Sequence, residues 1–271
     1  MPSPSPSPSS PPPPASPRQS PRQTPRPTRG QMLLPVVVAA LSAVLAAQMI
    51  GRDSRLLLPL LALASLLFVP AMLGRWRMRK LLMSGDVERV IGTWEGSIDR
   101  VPYRETMAPL LKATAYASYG WIEGARRALE RAVKGPAWDA AIEQRLFVET
   151  LLDTFEGDRE AAQRKAQVLE ALPMPSGGLF ARRRVALLRR GLGALTRAFA
   201  HASREGDARI LARAAGASPL VHWAMRYAAA IVAVDRGRAR DVTALLSGAP
   251  AWPDQSAFHT YHSELLAQAS G

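Results

Sequence analysis

The sequence predicts an all-α protein: a transmembrane helical hairpin followed by a stack of helix pairs. Three observations lead there. Two uncharged runs of 19 residues, 32–50 and 56–74, stand five residues apart. Residues 75–271 carry apolar side chains at helical spacing. Within them a glycine recurs between successive helical patterns, and a proline follows each glycine at a similar distance.

The first region, 1–30, holds 12 of the 23 prolines and four arginines, with no acidic residue. Such a segment buries too little apolar surface to offset its ordering entropy, which predicts a disordered tail with polyproline II character. Pro17, Pro21 and Pro25 repeat at a period of four in "PRQSPRQTPRPT". This matches no strict recognition motif, so the tail reads first as a spacer and second as a docking or phosphorylation segment.

The region 31–74 contains "MLLPVVVAALSAVLAAQMI" (32–50) and "LLLPLLALASLLFVPAMLG" (56–74). About 20 helical residues cross the hydrocarbon layer, so each run is long enough to span. Pro35, Pro59 and Pro70 fall near the ends of the runs, where a missing backbone bond costs least. A soluble buried hairpin or a cleaved signal peptide explains the pair less well, because both runs are uncharged and the long proline tail is no basic leader.

Flanking bases set the orientation. Arg18, Arg22, Arg26 and Arg29 precede the first run, and Arg75, Arg77, Arg79 and Lys80 follow the second, against Arg52 and Arg55 between them. This places both termini in the cytoplasm and the domain 75–271 beside the inner face of a lipid bilayer.

In that domain "ETMAPLLKATAYASYG" (105–120) puts Met107, Leu110, Leu111 and Ala115 on one helix face. Gly120 ends the pattern. "WIEGARRALERAV" then puts Ile122, Ala125, Leu129, Ala132 and Val133 on one side, with Arg126, Arg127, Glu130 and Arg131 opposite. The same phrase places glycines at 85, 120, 157, 206 and 237, followed by Pro102, Pro136, Pro173, Pro219 and Pro250. The wide interval from 157 to 206 is filled by one long or broken helix containing Gly191 and Gly193. Helix 256–268, with Phe258, Tyr261, Leu265 and Leu266 on a stripe, is expected to cap the end.

This phrase resembles the tetratricopeptide-repeat (TPR) family, in which a glycine joins two helices and a proline closes each unit. The family favours a small alanine five residues after the glycine. Ala125 and Ala162 match it, while Val90, Leu211 and Val242 depart. The resemblance covers about 78–250 and implies an α-solenoid of TPR-like helix pairs, a fold whose stacked units share a continuous core and offer a binding surface.

Several functions are excluded or disfavoured by composition. The chain has no cysteine, which removes disulfides, thiolate zinc sites and cysteine nucleophiles. No GxSxG, GxxxxGK[ST], HExxH or GxGxxG motif is present. His259 and His262 stand at i, i+3 near Glu264, but two nitrogens without a third ligand make a poor zinc site. Glu149 with Asp153, and Glu95 with Asp99, share helix faces at i, i+4 and read as solvated pairs rather than acid–base catalysts.

The excess of 35 bases over 22 acids is spread along the chain. Its densest part, "FARRRVALLRRGLGALTR", sets Arg182, Arg183, Arg184, Arg189, Arg190 and Arg197 beside an apolar stripe. An ordinary solvated face is the first reading of this run; among functional ones an acidic protein or anionic lipid headgroups suit it better than nucleic acid, for which no motif is present.

These observations lead to a membrane-anchored, non-enzymatic scaffold or adaptor that binds an unknown protein or peptide, with no cofactor or metal and no nucleic acid expected. Trp94, Tyr116, Tyr119 and Trp121 are the candidate groove residues, with core packing an equal alternative for each, and Arg182, Arg183 and Arg184 are candidate contacts for an acidic partner. Two other classes stay open. One is an envelope enzyme or subunit with a cryptic site on the helical domain. The other is a structural membrane protein whose small residues at 39–47 bring copies of the hairpin together.

Overall fold

The computed structural model of the chain describes residue 69 and residues 72–270. The tail 1–30, the run 32–50 and most of 56–74 lie outside the described residues. Among the described residues no helix is long and apolar enough to cross a membrane. All regular structure among them is helical.

Glycine turns set the order of elements. The helical segment 72–82 is joined through Gly85 to α1 (Val87–Ile98). Gly120 joins α2 (Arg104–Ser118) to α3 (Ile122–Glu130). The five-residue α4 (Pro136–Ala140) leads to α5 (Ile142–Glu156), and Gly157 joins that helix to α6 (Arg159–Ala171). Gly206 joins α7 (Leu179–Phe199) to α8 (Asp207–Ala217), and Gly237 joins α9 (His222–Asp235) to α10 (Ala239–Leu246). The last helix is α11 (Ala257–Ser270).

All five glycines singled out by spacing sit in the left-handed region, with φ between 67° and 89°. A side chain is disfavoured there, so the residue that reverses the chain is glycine each time. Asp86 and Asp158, each directly after its glycine, accept a backbone N–H at 3.0 Å and start α1 and α6. The five prolines all fall at or beyond the ends of the second helices, where no helical bond is lost.

Pro109 is the exception, lying inside α2. It has no N–H to donate to the Glu105 carbonyl one turn earlier, and the Val133 amide bonds that carbonyl instead at 3.2 Å. Thr106 Oγ1 returns a bond to the Val133 carbonyl at 2.7 Å. The defect in α2 thus becomes the tie that holds the end of α3.

Each pair packs on the next in chain order. The first helix of a pair contacts its partner, the second contacts the following pair, and α2, α5, α7, α9 and α11 pack successively. The residue five positions after each glycine, Val90, Ala125, Ala162, Leu211 or Val242, is buried whether it is an alanine or not. A close approach is made elsewhere: a Cβ on Gly191 of α7 would stand 2.7 Å from Ala214 Cβ of α8. The wide interval between Gly157 and Gly206 is explained by α7, one continuous helix of 21 residues.

The end of the chain reaches further than expected. Helix α11 packs on the last pair, α9 and α10, and its N-terminal part also reaches the C-terminal ends of α2, α5 and α7. Ser256 Oγ donates to the Tyr119 carbonyl at 2.7 Å, and the Ala257 amide donates to the Gly120 carbonyl at 2.9 Å. Tyr261 OH donates to the Phe155 carbonyl at 3.1 Å. Phe258 packs edge-on against Phe155 and stacks on Tyr227, and Tyr261 packs edge-on against Phe199. One core therefore runs from Val87 to Leu265. The stripe of Phe258, Tyr261, Leu265 and Leu266 is the face that packs against this core.

Candidate functional site

A cleft of about 450 Å³ opens between α1, α2 and α3. Helical spacing builds it: Pro109, Lys112 and Tyr116 follow one face of α2, while Gly124, Arg127 and Arg131 descend α3. The Tyr116 and Trp121 rings meet at 6.1 Å, tilted by 34°. Gly124 is what admits the tyrosine, since a Cβ there would stand 2.9 Å from the Tyr116 ring.

Charge in this cleft is one-sided. Lys112, Arg127 and Arg131 face one carboxylate, Glu88. Lys112 also pairs with Glu95 at 3.5 Å, and Arg127 donates to the Glu123 carbonyl at 3.3 Å. Trp121 Nε1 is buried and finds no acceptor among the described residues. Two aromatic faces thus stand beside three cations, a combination complementary to carboxylates and apolar groups.

Of the residues singled out from sequence, Tyr116 and Trp121 therefore meet in one place. Trp94 is half-buried and packs against the core. Tyr119 belongs to the core: it is 1% exposed, its hydroxyl donates to the Leu82 carbonyl at 2.6 Å, and burial raises its pKa above the ordinary tyrosine value. Nothing in solution reaches it without unfolding the domain. Arg182, Arg183 and Arg184 are exposed on α7, and none of them lines the cleft.

The sequence places Arg127 and Arg131 on the face of α3 opposite its apolar side and does not mark out Lys112. The signal was there in the four-residue spacings from Lys112 to Tyr116 and from Arg127 to Arg131. Nothing local showed that the two faces meet.

The basic run around Arg182 is not one surface. Arg189 is 4% exposed, and it bonds Glu143 at 3.0 Å and the carbonyls of Leu172 and Pro173 at 2.6 and 3.3 Å. Arg197 forks onto Asp207 with bonds of 3.0 and 2.7 Å. Burial alone would raise the Asp207 carboxyl, but Arg197 and the Arg204 amide outweigh it and hold the pKa below the usual value.

A second cavity of about 260 Å³ lies beside α11, lined by Phe199, His201, Asp235, Tyr261 and Glu264 among others. His201 Nδ1 meets Asp235 Oδ1 at 2.8 Å, a bond that ties the turn after α7 to the end of α9. The histidines and acidic pairs singled out from sequence are engaged separately. His259 Nδ1 lies 3.0 Å from the Trp252 carbonyl, and His262 Nδ1 lies 3.0 Å from Tyr227 OH, so the two histidines face different partners. Lys165 pairs with Glu149 at 3.6 Å and with Asp153 at 2.7 Å, while Arg104 pairs with Asp99 at 2.9 Å. Among the described residues no group of three His, Asp or Glu side chains is placed to hold a metal ion.

Compared with protein-family models, curated proteins and solved structures, the chain matches none of them.

Proposed function

We propose that this chain is a membrane-anchored, non-enzymatic interaction scaffold, built as a TPR-like α-solenoid whose cleft between α1, α2 and α3 receives an acidic segment of a partner protein. The observation that carries this reading is the meeting of Tyr116 and Trp121 with Lys112, Arg127 and Arg131 in one cleft. The successive packing of helix pairs supports the solenoid reading. The packing of α11 on the ends of α2, α5 and α7 supports the choice of cleft, because the chain itself already covers that side.

The uncharged runs 32–50 and 56–74 supply the anchor, with the cationic flanks holding both termini on the cytoplasmic side. Glu149, Asp153, Asp99, His259 and His262 are bound to cations, carbonyls or hydroxyls within the fold, which supports a binding role over acid–base catalysis at these residues.

Cross-linking in native membranes tests the reading. A photoreactive residue placed at Ala108, on the cleft wall, is expected to capture one stoichiometric protein. Capture should fall at least tenfold in the charge-reversed variant Lys112→Glu/Arg127→Glu/Arg131→Glu, since each rim charge contributes about 0.5–1 kcal/mol to such an encounter. No captured protein, or equal capture by the variant, rejects the cleft.

A further inference from the structure

Helix α7 is divided by Arg189. From that residue onward the helix is largely buried against the body, and the bonds of Arg189 to Glu143, Leu172 and Pro173 fix the point of entry. Before it, the first turns project into solvent. Phe180 is 85% exposed and Leu179 60% exposed, among the most exposed large apolar residues described. Arg182, Arg183 and Arg184 are exposed beside them.

Spacing puts the two chemistries together. Leu179 lies three and four residues from Arg182 and Arg183, and Phe180 lies three and four from Arg183 and Arg184. No Asp or Glu occurs from 171 to 204, a stretch holding seven arginines. Two of those, Arg189 and Arg197, are neutralised inside the fold by Glu143 and Asp207. No carboxylate among the described residues pairs with Arg182, Arg183 or Arg184.

We infer that this overhang, Leu179–Arg184, docks on an anionic lipid bilayer, with Leu179 and Phe180 entering the headgroup boundary and the three guanidiniums on lipid phosphates. An acidic, partly apolar protein segment would meet the same two chemistries, and the bilayer is preferred because the proposed anchor keeps it close at hand. A bilayer takes both, because interfacial binding adds buried apolar area to electrostatic attraction. In the sequence the uncharged run 56–74 leads directly into this domain, so the proposed tether holds it within reach of the membrane. In that respect the inference rests on the anchoring reading above.

The chain's lack of cysteine makes the test direct. Ala181→Cys, exposed and between the two chemistries, accepts a single environment-sensitive fluorophore on the full chain. The labelled chain is mixed with vesicles of phosphatidylcholine alone or of phosphatidylcholine with phosphatidylserine, each carrying a lipid-borne quencher. Flotation reports the anchor and quenching reports the overhang.

Flotation with both compositions and quenching only with phosphatidylserine supports the proposal. Flotation with both and no quenching overturns it while leaving the anchor standing. Flotation only with phosphatidylserine, accompanied by quenching, rejects the anchor and supports the overhang. No flotation with either overturns both. Shielding of the label by an added acidic protein, with no quenching by lipid, overturns it in favour of a protein surface.

Each arginine is expected to raise the docked-to-undocked ratio about fivefold. Arg182→Glu/Arg183→Glu/Arg184→Glu and Leu179→Ser/Phe180→Ser should each reduce quenching to the phosphatidylcholine level. Both variants alter exposed residues, so unchanged helical circular dichroism certifies the fold.

Discussion

Gly85, the first glycine of the recurring series, touches Pro250, the last proline of that series: a Cβ on Gly85 would stand 2.6 Å from Pro250 Cγ. The first helix pair and the chain after the last are thereby in van der Waals contact, reinforced by Trp223 Nε1 donating to the Met83 carbonyl at 2.9 Å. Gly237 serves the same turn in the last pair, at φ 67°, with nothing near its Cβ position. The two glycines separate backbone strain from packing. Gly237→Ala should cost about 1 kcal/mol for the left-handed conformation alone. Gly85→Ala adds a clash and should cost about 2–4 kcal/mol. Thermal unfolding followed by circular dichroism reads both, and equal losses would deny the contact.

The buried relay from Trp252 through Tyr227 to His262 predicts a pH dependence. Trp252 Nε1 donates to Tyr227 OH at 2.7 Å, and Tyr227 OH lies 3.0 Å from His262 Nδ1. Burial, with His259 adding repulsion, lowers the His262 pKa; burial likewise lowers that of His222. The folded state then binds fewer protons than the unfolded state below the ordinary value of 6.5. Stability from these groups is complete above that value and is lost as pH falls through the lowered pKa values. The melting temperature should therefore drop between about pH 7 and about pH 5, and His262→Gln should flatten part of the drop. Tyr227→Phe strands both neighbours and should cost about 1–3 kcal/mol at neutral pH.

Arginines within one run should behave oppositely. Arg189→Met leaves two loop carbonyls without their donor and Glu143 without its cation, a loss of about 2–4 kcal/mol. Arg183→Ala touches no partner and should change stability by less than about 0.5 kcal/mol. Urea midpoints of the two variants decide this, and similar values would mean that the Arg189 bonds do not anchor α7.

Local signals were legible where the backbone itself constrains the residue. The helix spacing at 105–120, the glycines at 85, 120, 157, 206 and 237, and the prolines that follow were visible because a left-handed turn and a helix stop each demand a particular residue. The buried stripe of Phe258, Tyr261 and Leu265 was legible for the same reason of period. What that stripe rests on was not, because periodicity names a buried face without naming its partner. Tyr119 shows the limit from the other side: an aromatic beside a turn looks available in one dimension, yet Ser256 and Trp252 cover it from far along the chain. Arg189 and Arg183 are indistinguishable as letters, and only the loop carbonyls at 172 and 173 divide them.

Because residues 250–266 rest on helices that begin much earlier in the chain, the order of synthesis matters. A nascent chain can form each glycine hairpin as it emerges from the ribosome, but the rings of Phe155, Phe199 and Tyr227 keep one side wet until α11 arrives. During translation, that exposed aromatic strip is what a chaperone would hold, and a chain halted before residue 258 would retain it indefinitely.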